Sequence, residues 1–117
     1  MRKTMGVWRE RITLVATTTS HTMYSEPVPE GERWYLQRVC VRDDAAAFAD
    51  CLLSIDAGTH KHPLYYFANT GTDLEVCQPI ECWLREGERL QFDWKDVAAA
   101  DKLFVHVTGH KTGVDKG

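Results

Sequence analysis

The tetrapeptide Glu-Gly-Glu-Arg occurs twice, at residues 30–33 and 86–89, and each copy runs directly into an apolar, aromatic-bearing stretch. The echo extends further. After the first copy come residues 34–41, a loop that passes from Asp44 through Ala45, Ala46 and Ala47 to Asp50, and the apolar residues 51–55. After the second come residues 90–94, a loop from Asp96 through Ala98, Ala99 and Ala100 to Asp101, and residues 103–107. Glycine in a polar turn supplies the positive-φ position that reverses the chain, and Trp, Tyr, Val and Phe favour the pleated, half-buried surface that follows. A chain with this order of turn, strand, alanine loop and strand is constrained to be a β-protein, whether its halves arose by duplication or by two hairpins settling on one turn chemistry. It also points to a scaffold rather than a catalyst.

Strand signals fill the remaining sequence. Residues 11–15, 21–26, 34–42, 51–56, 63–67, 80–85, 90–94 and 103–108 combine β-branched, aromatic and apolar residues, with a further short piece at 74–77, and turn signals separate them. Both alanine loops fall short of the ~12 residues at which an isolated helix becomes marginal, so no helix longer than two turns is expected. About eight short strands at intervals of roughly ten residues predict an all-β fold, a two-sheet antiparallel β-sandwich. The jelly roll is the preferred version, since it pairs two Greek keys and suits halves that echo each other.

A chain of 117 residues has room for one core. The expected division is an extended basic N-terminal arm at 1–11, a single β-sandwich domain at 12–110 and a C-terminal tail at 111–117. No apolar run approaches the ~18 residues of a membrane span, so no membrane partner is expected. Arg9, Glu10 and Arg11 fall where the apolar part of a secretory signal would lie, which predicts synthesis in a cytosol. In that compartment Cys40, Cys51, Cys77 and Cys82 are expected to be reduced, with Cys40 and Cys51 acting as small core residues. No Cys-x-x-Cys pair is present, which argues against a zinc knuckle.

Charge is distributed unevenly. Within residues 1–11, Arg2, Lys3, Arg9 and Arg11 stand against Glu10, a local excess of cations in a chain of net charge −3. With Trp8, these residues form the predicted partner interface: an arm able to dock on an acidic protein surface. The acidic remainder and the lack of a basic stripe interleaved with aromatics predict no nucleic-acid binding. Four tryptophans and four tyrosines are many for this length. Most should pack in the core or at edges, and any that point outward would serve as interface anchors or sugar-stacking platforms.

Chemistry-bearing motifs are few. His60-Lys61-His62 has metal-ligand spacing, and on a strand both imidazoles would project from one face. Cupins extend such a pair with a glutamate three or four residues on, where this chain has Tyr65 and Tyr66. Their second motif, Pro-x-Gly-x-x-His, begins at Pro29-Glu30-Gly31 but continues into Arg33 and Trp34. His60 and His62 are therefore weak metal candidates, and no metal or other cofactor is expected. Ser20, Ser25 and Ser54 lack a Gly-x-Ser-x-Gly setting and no cysteine has a histidine beside it in sequence, so no catalytic residue is assigned.

Taken together, residues 28–41 (Val-Pro-Glu-Gly-Glu-Arg-Trp-Tyr-Leu-Gln-Arg-Val-Cys-Val), 83–90 (Trp-Leu-Arg-Glu-Gly-Glu-Arg-Leu) and 100–109 (Ala-Asp-Lys-Leu-Phe-Val-His-Val-Thr-Gly) resemble small β-sandwich virion proteins of tailed bacteriophages. Those chains run from a Val-Pro-x-Gly turn into a strand, carry a Leu-x-x-Gly-Glu-x-Leu turn, and finish on a Gly-Asp-x-Leu-x-Val strand ending in glycine. This chain differs at Ala100, where glycine is usual, and in its added cysteines and tryptophans. The resemblance implies a non-enzymatic particle component: a capsid decoration or cement protein, or else a neck, tail or fibre part. Its partners would be other virion proteins, such as the major capsid protein or neck and tail subunits, with homo-oligomers expected, and its location the virion after synthesis in the host bacterial cytoplasm. A carbohydrate-binding sandwich with a glycan ligand is the alternative, and a metal-dependent cupin enzyme comes third.

Overall fold

The computed structural model describes residues 2–44, 49–68 and 75–114, which form eight strands and no helix. They are β1 (Arg2–Val15), β2 (Ser20–Tyr24), β3 (Glu32–Asp43), β4 (Asp50–Asp56), β5 (Lys61–Phe67), β6 (Val76–Leu84), β7 (Arg89–Lys95) and β8 (Lys102–Val114). Two antiparallel four-stranded sheets result, with orders β1-β8-β3-β6 and β2-β7-β4-β5. This alternation of strands between sheets is the jelly-roll arrangement. It also carries an internal symmetry. Adding four to each strand number, counted round the eight, turns β1-β8-β3-β6 into β5-β4-β7-β2, which is the other sheet read backwards.

The repeated turns occupy equivalent places in that symmetry, one launching β3 and the other β7. Gly31 and Gly87 have φ of 80° and 82°. The Glu32 and Glu88 amides donate to Pro29 and Arg85 carbonyls at 3.2 and 3.0 Å, closing the same four-residue turn twice. The two turns also meet in space. Val28 N–H donates to the Glu88 carbonyl, Gly87 N–H to the Val28 carbonyl, and Gly31 N–H to the Glu86 carboxylate.

Alternation along the strands sends one side chain in two into a single core between the sheets. Trp8, Trp34, Trp94, Phe67, Phe92 and Leu36 are among its fully buried members. Trp8 and Trp34 pack at a tilt of 55° with ring centroids 5.0 Å apart, and each indole N–H is taken by a glutamate two residues away, Glu10 and Glu32 respectively, at 2.8 Å.

Several sequence expectations are corrected here. Residues 2–11 are the first two-thirds of β1, paired with β8 from Arg2↔Val114 onward, so no arm projects from the sandwich. Trp8 is 0% exposed and faces the core instead of a partner. The physical reason lies in register: Trp8 alternates inward with Glu10, Ile12 and Leu14, while Arg9 and Arg11 alternate outward. At the other end, residues 111–114 belong to β8 and not to a tail. The two pieces expected either side of Pro79 are one strand, β6. It lies at a sheet edge, where an absent N–H is tolerated. Pro63 has the same position in edge strand β5, beside a bulge. The second alanine loop, by contrast, is non-helical as expected, with Asp96 and Ala100 at φ 59° and 74°. Residues 45–48 of the first lie outside the described residues.

The cysteines also depart from expectation. Cys40 and Cys77 stand opposite each other on β3 and β6 and are joined in a disulfide, with 4.0 Å between their Cα atoms. Cys51 is buried and free, and Cys82 is half-buried and free. Four free thiols were expected from the reading of a cytosolic chain with cysteines in apolar strands; instead the pairing of β3 with β6 places Cys40 and Cys77 face to face and a bond joins them.

Candidate functional site

The outer surfaces of the two sheets differ in chemistry. On β1-β8-β3-β6, register defines cross-strand rows whose members share one face. One row runs Val7, His110, Tyr35, Trp83; the next Arg9, Thr108, Arg38; then Arg11, His106, Cys40, Cys77; then Thr13, Phe104, Arg42. Arg9, Arg11, Arg38, Val7 and Trp83 are exposed. Arg42 lies over the Phe104 ring at 4.4 Å, and Tyr35 packs against Trp83 at 4.8 Å and His110 at 5.1 Å. Burial, and after it the charge of nearby Glu81 and a hydrogen bond to it, push the Tyr35 hydroxyl's pKa up.

Of the predicted interface residues, Arg9 and Arg11 therefore belong to an exposed basic face, while Trp8 does not. Arg2 and Lys3 pair through their backbones with Val114 and Gly113, and their side chains lie outside the described residues. Arg38, Arg42, Tyr35, Trp83 and Phe104 were missed. In sequence the basic residues are scattered among acidic ones; strand order gathers them. The interleaving of basic and aromatic side chains that the sequence lacks is thus created by the fold.

The outer surface of β2-β7-β4-β5 is hydroxyl-bearing and mixed in charge, with Asp50, Asp56 and Asp93 standing among Lys61, Arg89 and Lys95. Thr22, Asp93, Leu52 and Tyr66 form one row, and Ser20, Lys95 and Asp50 the next. These residues, with Thr18, His21 and Trp94, line an open cavity of about 600 Å³. Asp93 accepts from Thr22 Oγ1 at 2.9 Å and from Gln91 Nε2 at 2.8 Å. The Tyr66 hydroxyl is bonded to Asp50, and that bond, with burial and the carboxylate's charge, raises its pKa. Farther along the sheet, Asp56 accepts from Gly58 N–H and pairs with Arg89 at 3.0 Å, which hold its carboxyl below the usual range; Arg89 also covers the Tyr24 ring.

Neither metal candidate joins this cavity. His60 and His62 are exposed at the start of β5, their ring centroids 6.4 Å apart. Among the described residues, two groups of three ligating side chains come close together, Cys40–Glu75–Cys77 and Asp43–Asp44–Asp101, and neither includes these histidines. In the first, both cysteines are in the disulfide. In the second, Asp44 and Asp101 accept the Lys102 and Ala98 amides and so cap the loop around them.

No family model and no curated protein matches the sequence. Solved structures do share its outline. The core of Drosophila NLP, described in terms of pentamer formation and histone binding, is 12% identical, with a TM-score of 0.47 over 89% of this chain and 97% of that one. A family 29 carbohydrate-binding module complexed with mannohexaose is 9% identical, with a TM-score of 0.45 over 94% and 80%. The CBM22-1 and GH10 modules of Clostridium thermocellum xylanase 10B, complexed with xylohexaose, give 17% identity and a TM-score of 0.41 over 80% of this chain and 19% of that one. At these identities and scores nothing about the neighbours' ligands transfers.

Proposed function

We propose that this chain is a non-enzymatic structural component of a tailed-bacteriophage particle, with the outer face of β1-β8-β3-β6 holding a neighbouring virion subunit. The observation that carries the interface is the convergence of Arg9, Arg11, Arg38 and Arg42 with Tyr35, Trp83 and Phe104 on one plane. Arginine, tyrosine and tryptophan are the side chains that dominate interface energetics, because each offers large area or planar hydrogen bonding at modest entropic cost. The matching partner surface is acidic. What supports the phage assignment is the sequence resemblance in residues 28–41, 83–90 and 100–109. Capsid decoration is favoured over a neck, tail or fibre position. The sugar-binding alternative belongs to the other sheet, where a cavity favours it.

The test is occupancy on particles that lack the native protein. Trp83→Ala should weaken occupancy by about 2 kcal/mol, some thirtyfold. Arg11→Glu combined with Arg38→Glu should abolish it, with the melting temperature nearly unchanged, since both arginines are exposed. Normal occupancy by the doubly reversed protein would reject this face. Absence of the chain from purified particles of its source, by mass spectrometry, would reject the assignment to a virion.

A further inference from the structure

We infer that the cavity on the outer face of β2-β7-β4-β5 binds a short neutral oligosaccharide. Its size, about 600 Å³, lies within the range of small-molecule sites. Its walls are of two kinds. Tyr66, 54% exposed, and Leu52 beside it offer a flat apolar platform on β5 and β4. Asp93, Asp50, Lys95, Thr22 and Ser20 surround that platform with hydrogen-bonding groups.

The acceptors are fixed before any ligand arrives. Asp93 is held by Thr22 and Gln91, and Asp50 by the Tyr66 hydroxyl. An ionised carboxylate has about four lone-pair sites, so Asp93 retains acceptor capacity beyond Thr22 and Gln91. Prior orientation lowers the entropy lost on binding.

The ligand class follows by comparing what each candidate would meet. A phosphate or sulfate would be repelled by two carboxylates. An apolar ligand would strip water from Asp50, Asp93 and Lys95 and return no hydrogen bonds. An amine would pair with the carboxylates but offer no acceptor to Lys95. A neutral polyol meets none of these penalties: adjacent hydroxyls donate to the carboxylates and accept from Lys95, and the ring's C–H face lies on Tyr66. Sugar recognition here is independent of the arginine face, because the two lie on opposite sheets.

The experiment is titration calorimetry of the intact chain against neutral gluco-, xylo- and manno-configured hexasaccharides, with a sulfated hexasaccharide as the anionic control. At least one neutral sugar should bind saturably at millimolar concentration or below. Tyr66→Ala and Asp93→Asn should each weaken that binding about tenfold, the loss of one good contact. Arg11→Glu with Arg38→Glu should leave it unchanged. Lys95→Ala, an exposed substitution, carries the same expectation of weaker binding should either cavity variant lose stability. Failure of every neutral sugar to saturate, tighter binding of the sulfated control, or unchanged affinity in folded cavity variants would overturn the inference. Particle occupancy does not enter any of these readouts.

Discussion

Ala100 stands where the virion proteins that the sequence resembles usually carry glycine, and its backbone lies in a region that favours glycine. Its φ is 74°, in the left-handed region where a Cβ crowds the following carbonyl. Its N–H donates to Ala16 at 2.8 Å and ties the loop to the end of β1, so the conformation is held from outside. Ala100→Gly should raise the unfolding free energy by about 0.5–1 kcal/mol, as relief of roughly 1–2 kcal/mol of strain exceeds the entropy that glycine adds to the unfolded chain. Gly87 supplies the opposite test. At φ 82° with open space around it, a Cβ costs conformational energy alone, and Gly87→Ala should destabilise by about 1 kcal/mol. Urea denaturation of both variants measures the pair, and two shifts of the same sign would contradict the account. Gly109 is constrained differently: an added Cβ there would overlap the Tyr35 carbonyl, so space between strands, not φ, requires glycine.

At the scale of elements, β1 decides how the amino-terminal region should be understood. Basic charge and an isolated tryptophan are what a docking arm would carry, yet residues 7–12 alternate outward and inward, and their backbone pairing with β8 extends to Arg2. The pairing with β8 takes up the backbone of residues 2–15, and Trp8 fills the core against Trp34. Removing residues 1–11 should therefore abolish cooperative unfolding, where a dispensable arm would leave it intact. Trp8→Ala should cost about 3–5 kcal/mol, the usual penalty for emptying a large aromatic from a core. Thermal and chemical denaturation monitored by circular dichroism checks both. A truncated protein with the parent's melting temperature would restore the arm.

The whole molecule is one sandwich with a basic, aromatic face and a face of mixed charge, and the disulfide helps close it. Cys40–Cys77 fastens edge strand β6 to β3 across a sequence separation of 37. Closing a loop of that length is worth about 4 kcal/mol in the chain-entropy model. Replacing both cysteines with alanine should lower stability by about 2–4 kcal/mol, measured by denaturant titration. Thiol counting under denaturing, non-reducing conditions should find two groups, and four after reduction. In the native protein at neutral pH both free thiols should react slowly. Burial pushes the Cys51 thiol far up, and burial together with Glu88 moves Cys82 from its ordinary 9.0 to about 11. Because the folded state holds the Cys82 proton more tightly, its contribution to stability is complete below pH 9 and is lost as pH rises through about 11, while that of the more deeply buried Cys51 is lost at higher pH still. Four thiols before reduction would remove the bridge.

Local chemistry determined what can be read along the chain. The positive φ of Gly31 and Gly87, the stops near Pro27 and Pro29, and alternation in residues 34–42 and 90–94 depend on near neighbours, so strands, turns and the all-β sandwich were legible in the sequence. The echo of the two halves also survived, since both copies launch strands that are equivalent in the jelly roll. What a residue faces depends on register with a strand elsewhere, and register is a tertiary quantity. It turned Trp8 inward and Arg9 outward, set Cys40 against Cys77, and collected Arg9 and Arg11 with Arg38, Arg42 and Trp83 on one face. It likewise brought Asp50, Asp93, Lys95 and Tyr66 around one cavity. Those cavity side chains come from three strands, β4, β5 and β7, and only the pairing of strands distant in sequence makes them neighbours.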